Sequence, residues 1–137
     1  MARILCIDYG KKRSGIAVTD PLQIIATGLT TVDSEALIFW LKQYVKAEDV
    51  TKVLIGYPLA LDNSPTDATP LVDKFIRNFK MVFPQLQIET VDEQFTSKMA
   101  SAAMIDMGMK KKDRQKKENT DELSATIMLQ EYLQSQS

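Results

Sequence analysis

The stretch Arg3-Ile4-Leu5-Cys6-Ile7-Asp8-Tyr9-Gly10-Lys11-Lys12-Arg13-Ser14-Gly15-Ile16-Ala17-Val18-Thr19 decides the fold. Its first part, Ile4 to Ile7, is an unbroken apolar run ending on an aspartate. A strand with no polar alternation is one covered on both faces, so this segment predicts a central strand. Tyr9-Gly10-Lys11-Lys12 reads as a tight turn, and Ser14 to Thr19 returns as a second strand. Asp20-Pro21 marks the next turn, and the β-branched run from Ile24 to Thr31 predicts a third strand. Three short strands in succession form an antiparallel meander.

Beyond this point the period changes. Leu37, Trp40, Leu41, Tyr44 and Val45 recur at helical spacing, with Asp33 or Ser34 placed to cap the start. Val53 to Gly56 is a short buried strand, and Tyr57 to Asp67 is a loop. Thr69-Pro70 opens a second helix with Val72, Phe75, Ile76 and Phe79 as its apolar stripe. Pro84 stops it, and Leu86 to Val91 is a last strand. Thr96 is placed to cap a third helix through Met107, with Gly108 at its end. Thr120 is placed to cap a fourth, with Ala125, Met128, Leu129 and Tyr132 on one side. The expected architecture is one α/β domain over residues 1–137. Its mixed five-stranded sheet joins the meander to parallel strands and is flanked by about four helices. This is the element order of an RNase H-like fold.

Composition removes several classes of chemistry. The 137 residues include no histidine and one cysteine. Histidine-based triads, a histidine general base, His-ligated zinc and an intramolecular disulfide are therefore excluded. The net charge of −1 conceals a segregation. Lys11, Lys12 and Arg13, with the run Lys110, Lys111, Lys112, Arg114, Lys116 and Lys117 and the acids Asp113 and Glu118, hold nine positive and two negative charges. The rest of the chain holds eight positive and sixteen negative. Two basic runs on an otherwise acidic chain fit a local phosphate-binding surface. No apolar run is long enough to span a bilayer, which takes about 20 residues, and the first strand starts too early for a secretory leader, so the expected location is the cytoplasm.

The acidic residues fall at element ends. Asp8 ends the first strand, Asp92 and Glu93 follow the last one, and Asp121 and Glu122 lie in the first turn of the final helix. Strand carboxyl ends are where α/β sheets gather ligands. Clustered carboxylates repel one another unless a cation neutralises them. Mg²⁺ or Mn²⁺ suits oxygen ligands, and two ions about 3.5–4 Å apart can clamp the attacking water and leaving oxygen of a phosphodiester. Carboxylates, metal and basic loops together describe a nuclease.

Four segments carry a resemblance to the YqgF (RuvX-type) family. They are Ile7 to Asp20, Gly56-Tyr57-Pro58-Leu59, Val91-Asp92-Glu93-Gln94-Phe95-Thr96-Ser97, and Asp121-Glu122-Leu123-Ser124-Ala125. The resemblance implies an RNase H-like fold related to Holliday junction resolvases, and nucleases that mature the 5′ end of precursor 16S rRNA. It implies Asp8, Glu93 and Asp121 as catalytic metal ligands, with Asp92 held in reserve. Lys11, Lys12, Arg13 and the lysines and arginine from Lys110 to Lys117 would meet backbone phosphates. Gln94 departs from the family, which carries arginine there, and so loses a planar bidentate phosphate ligand.

The expected partner is nucleic acid, structured RNA in preference to branched DNA, within ribosomal precursor particles and without a membrane. The chain would work as a monomer or a homodimer. Two other readings stand beside the nuclease. One is a non-catalytic nucleic-acid-binding assembly module. The other is nucleotide binding, since the Asp8-Tyr9-Gly10 loop resembles the phosphate loop of the actin and sugar-kinase superfamily, although those proteins pair two such domains. Cys6, Trp40, Phe75, Phe79, Met99, Met104 and Met107 read as packing residues. Tyr57 and Phe95 lie beside motif loops, where packing outweighs base stacking.

Overall fold

The computed structural model describes residues 2–58, 64–92 and 117–136, with the backbone alone at 92, 117–122 and 136. Ile4 to Ile7 do form a central strand. In β1 (Arg3–Asp8) these four residues are buried, and they alternate between two separate cores. β1 pairs antiparallel with β2 (Arg13–Thr19), which pairs antiparallel with β3 (Ala26–Asp33). On its other side β1 lies parallel to β4 (Val50–Tyr57), and β4 lies parallel to β5 (Gln87–Asp92). The sheet order is β3-β2-β1-β4-β5. The meander and the mixed sheet are therefore as expected.

Leu5, Ile7, Ile16, Val53 and Ile55 face one core, which α1 (Leu37–Ala47) and α2 (Thr69–Val82) close with Leu37, Leu41, Val72, Phe75 and Phe79. Full burial of each such side chain is worth about 1.5–3 kcal/mol. Ile4, Cys6, Ala17 and Leu54 face the other core, covered by α3 (Lys117–Gln136) through Ala125, Met128 and Leu129. Cys6, Ala17 and Ala125 are small, so α3 lies close on the sheet. Trp40 stacks on Tyr44 with ring centroids 5.0 Å apart, at the edge of the first core. The packing roles expected for Cys6, Trp40, Phe75 and Phe79 are those observed; Met99, Met104 and Met107 lie outside the described residues. Three α-helices are described, and the helix expected from Thr96 to Met107 lies outside the described residues. Among the described residues no helix is long and apolar enough to cross a membrane.

Several boundaries differ from the sequence reading, each for a local reason. β3 begins at Ala26, not Ile24, because Asp20 Oδ1 accepts the N–H groups of Ile24 and Ile25 at 2.8 and 2.9 Å and bends them into a turn. Gln23 closes this turn at φ 59°, its N–H donating to the Asp20 carbonyl. β4 is longer than Val53 to Gly56 because Val50 also pairs, with Arg3. β5 runs one residue further, so Asp92 is its last residue and does not follow it. Neither Asp33 nor Ser34 caps a helix through its side chain; a 3-10 turn, Ser34–Ala36, precedes α1. Thr69 is the first residue of α2, and its hydroxyl accepts the Thr66 N–H and donates to the Pro58 carbonyl. α3 is described from Lys117, so Thr120 lies inside the helix and not at its cap, and Asp121 and Glu122 fall beyond its first described turn.

The two N–H bonds from Ile25 and Ile24 hold the Asp20 carboxyl below the usual carboxylate range. A folded pKa that is depressed stabilises the fold above the unfolded value and ceases to as pH falls through the folded one. Asp20→Asn should therefore lower the urea midpoint at neutral pH, and the difference from the parent should shrink as pH falls below about 3.9. A difference that is constant from neutral to acid pH would refute this account.

Candidate active site

Parallel strands end at a common edge. Asp8, Tyr57 and Asp92 are the last residues of β1, β4 and β5, and all three lie at the carboxyl edge of the sheet. The strand period of two puts Asp8 on the α3 side, with Ile4 and Cys6. Across β2 its register partner is Gly15. On β4, Gly56 stands one step beyond the Ile7–Ile55 pair, level with Asp8. Asp8 is thus flanked by a glycine on each neighbouring strand. Both glycines lie in the quoted motifs, but their meaning depends on strand register, which the sequence reading did not use.

The turn after Asp8 is pinned from beneath. The Gly10 N–H donates to Ser14 Oγ at 3.4 Å, and the Ser14 and Ser34 hydroxyls are 2.8 Å apart. Ser34 Oγ also donates to the Gly10 carbonyl, and the Ser34 N–H to that of Lys12. Both serines are buried. A Cβ on Gly10 would come under 3.0 Å from the Arg13 carbonyl oxygen, which fixes glycine at this position. On the turn so held, Lys11 and Lys12 are exposed and Arg13 is half-buried at the start of β2. Tyr9 turns to the other face, its ring 4.9 Å from that of Phe75, and burial pushes its phenol pKa up. At the end of β4 the Tyr57 hydroxyl donates to Asp73 Oδ1 at 2.8 Å, and that carboxylate raises the Tyr57 pKa. Tyr57 also packs on the α1/α2 core, the role given to it.

α3 runs opposite to β1. Near its end, Gln130 accepts the Ala26 N–H at 3.3 Å, and Tyr132 accepts from Lys52 Nζ at 2.6 Å while donating to Glu89 at 3.2 Å. The Tyr132 bond, with Glu89 beside it, raises the Lys52 pKa. Ala26 and Lys52 pair with Thr19 and Ile4, at the amino end of β1. The first turns of α3, with Asp121, accordingly lie toward the carboxyl edge.

Of the acids singled out, Asp8 and the backbones of Asp92 and Asp121 are described, while Glu93 lies outside the described residues. Lys117 is the first residue of α3; Lys110, Lys111, Lys112, Arg114 and Lys116 lie outside, as do Gln94 and Phe95. Sequence reasoning missed Ser14 and Ser34, whose only signal is that each is a small hydroxyl residue beside a turn.

A profile of the family described as RuvX, Holliday junction resolvase, matches residues 2–135. The chain belongs to the RuvX family. Among curated RuvX-like relatives, a protein of Flavobacterium psychrophilum is 57% identical over 133 residues, 97% of each chain. One of Flavobacterium johnsoniae is 52% identical and one of Bacteroides thetaiotaomicron 49%, each over 135 residues and 98% of both chains. All three bear provisional names as pre-16S rRNA nucleases. The RuvX family is RNase H-like, in keeping with the mixed sheet read from the element order.

Removing the Ser34 hydroxyl leaves Ser14 and the Gly10 carbonyl short of a buried partner, which costs about 1–3 kcal/mol. Ser34→Ala should lower the unfolding free energy in urea by that amount. Unchanged stability would show that the serine pair does not hold the turn.

Proposed function

We propose that this RuvX chain is a metal-dependent nuclease that hydrolyses phosphodiester bonds in the 5′ maturation of precursor 16S rRNA, acting in the cytoplasm on precursor particles. The observation that carries the proposal is Asp8, the acidic end of a strand buried on both faces, set between Gly15 and Gly56. The names of the relatives support rRNA as substrate. The family description favours branched DNA as the second reading, with a Holliday junction as the structure cut.

The donor set fits a hard divalent ion. The chain has no histidine, and its one thiol, Cys6, is buried in the α3 core, so the available donors are oxygens. Asp8, Glu93 and Asp121 would hold Mg²⁺ or Mn²⁺, as two ions, with Asp92 in reserve. When bound, such ions supply an activated water and stabilise charge on the leaving oxygen.

Two placements support this set. Along β1, Ile4 to Asp8 spans about 13 Å; along α3, Gln130 back to Asp121 spans about 13.5 Å. Position 121 therefore comes level with Asp8, and it continues the stripe of Ala125, Met128, Leu129 and Tyr132 that covers the sheet. On β5, Glu89 and Val91 both meet α3 residues or their core. Asp92, one residue on from Val91 in β5, falls on the opposite face of that strand, so Glu93 is proposed ahead of it. Lys11, Lys12 and Arg13, on the pinned turn next to Asp8, would hold the phosphates beside the cleaved bond, joined by Lys110, Lys111, Lys112, Arg114, Lys116 and Lys117.

Asp8→Asn should reduce Mg²⁺-dependent cleavage of a precursor rRNA by more than about 100-fold, the loss that disturbing a ligand's neighbours alone already produces. Folding and RNA binding should stay near those of the parent. Full activity of this variant with Mg²⁺ would refute the assignment, and a four-way DNA junction assayed alongside decides between the substrates.

A further inference from the structure

Between α1 and α2 lies a groove of about 660 Å³ that the proposed cleavage site does not use. Tyr9 and Ser34 line it where it meets the carboxyl edge, and Ile38, Leu71, Phe75 and Met81 form its apolar part. Its polar wall is Lys74, Arg77 and Asn78 on α2, facing Glu35. Met81 is 80% exposed and Leu71 36%, well beyond what a core helix leaves in water. Lys74 and Arg77 form no ion pair among the described residues.

We infer that this groove binds an unpaired nucleotide segment flanking the cleaved bond, in addition to the contacts at the cleavage site itself. The inference rests on the nuclease reading. Three observations favour this occupant. Tyr9 and Ser34 bring the groove to the carboxyl edge that Asp8 also occupies. Tyr9 faces the opposite side of the sheet, so a strand with a phosphate at Asp8 reaches the groove by passing over that edge. Lys74 and Arg77, one helical turn apart, put two cations and a single opposing acid on a chain that is acidic outside its two basic runs. The apolar part of the groove rewards exposed base faces, which single strands offer and duplexes bury. Asn78 and Glu35 add an amide and a carboxylate that can meet base edges.

The test uses the full chain and a fluorescent RNA hairpin made blunt, with a five-nucleotide 5′ tail, or with a 3′ tail. Binding is read by anisotropy in EDTA, where metal-dependent cleavage is silent. A tail should raise affinity for the parent. Lys74→Gln with Arg77→Gln should remove that gain, about tenfold at 0.1 M salt, and reduce the salt slope by about 1.4, roughly 0.7 for each phosphate contact on a single strand. Lys46→Gln with Lys80→Gln removes the same charge from exposed positions outside the groove and should keep the gain. A parent indifferent to tails, or a Lys74/Arg77 variant that keeps the preference, overturns the inference. So does a variant that keeps tail binding yet fails to associate with precursor particles, which would assign the groove to a protein. Because binding is read without cleavage, failure here leaves the Asp8 result standing, and the reverse.

Discussion

The double burial of β1 is the constraint on which the other features depend. A strand whose residues alternate between two dry cores, with hydrogen-bonded neighbours on both edges, has no place for a charge except at its ends. Arg3 takes one end, paired with Glu48 at 3.4 Å and donating to the Thr19 carbonyl at 2.9 Å. Asp8 takes the other. The sheet then decides what flanks it: Gly15 and Gly56 stand level with it on the neighbouring strands, where valine or isoleucine would crowd it. An interior arranged for stability thus delivers one acid to the carboxyl edge of the sheet.

The same strand passes its rigidity to the turn that follows. Ser14 belongs to β2 and Ser34 to the approach to α1, twenty residues apart, yet their hydroxyls meet under Gly10. The turn is therefore anchored both to the sheet and to the first helix. Its residues divide by direction, with Lys11 and Lys12 outward and Tyr9 back onto Phe75. Phosphate-facing charges gain from such anchoring because less side-chain and backbone freedom remains to be lost on binding.

What the sequence made legible follows from the range of the forces involved. Period and burial are local, so the central strand, the meander, the stripe of α2 through Phe75 and Phe79, and the Ala125–Tyr132 face of α3 could all be read directly. Hydrogen bonds between residues distant in sequence could not. Ser34 looks like a cap by local rules and is claimed instead by Gly10. Ile24 and Ile25 look like strand by β-branching, yet one carboxylate five residues or fewer upstream turns both into the loop. Gly15 and Gly56 acquire meaning only from the register of three strands. Asp8 was legible because a buried run ending on a charge is unusual, whereas the pairing of Tyr57 with Asp73 has no signature short of the fold.

α3 runs opposite to β1 across the second core. It lies on small residues, Cys6 and Ala17, and is fastened at its far end by Tyr132, Lys52 and Glu89, whose mutual hydrogen bonds are only partly screened by solvent. Between that end and the first turns, Ala125, Met128 and Leu129 seat against the sheet, each a buried contact rather than a directed bond. Dispersion and burial fix the height of a helix over a sheet well, but resist sliding along it less than hydrogen bonds do. The far-end tyrosine supplies that axial restraint. It stands eleven residues, some 16 Å at about 1.5 Å each, from position 121, so in the proposed site it would help set Asp121 against Asp8.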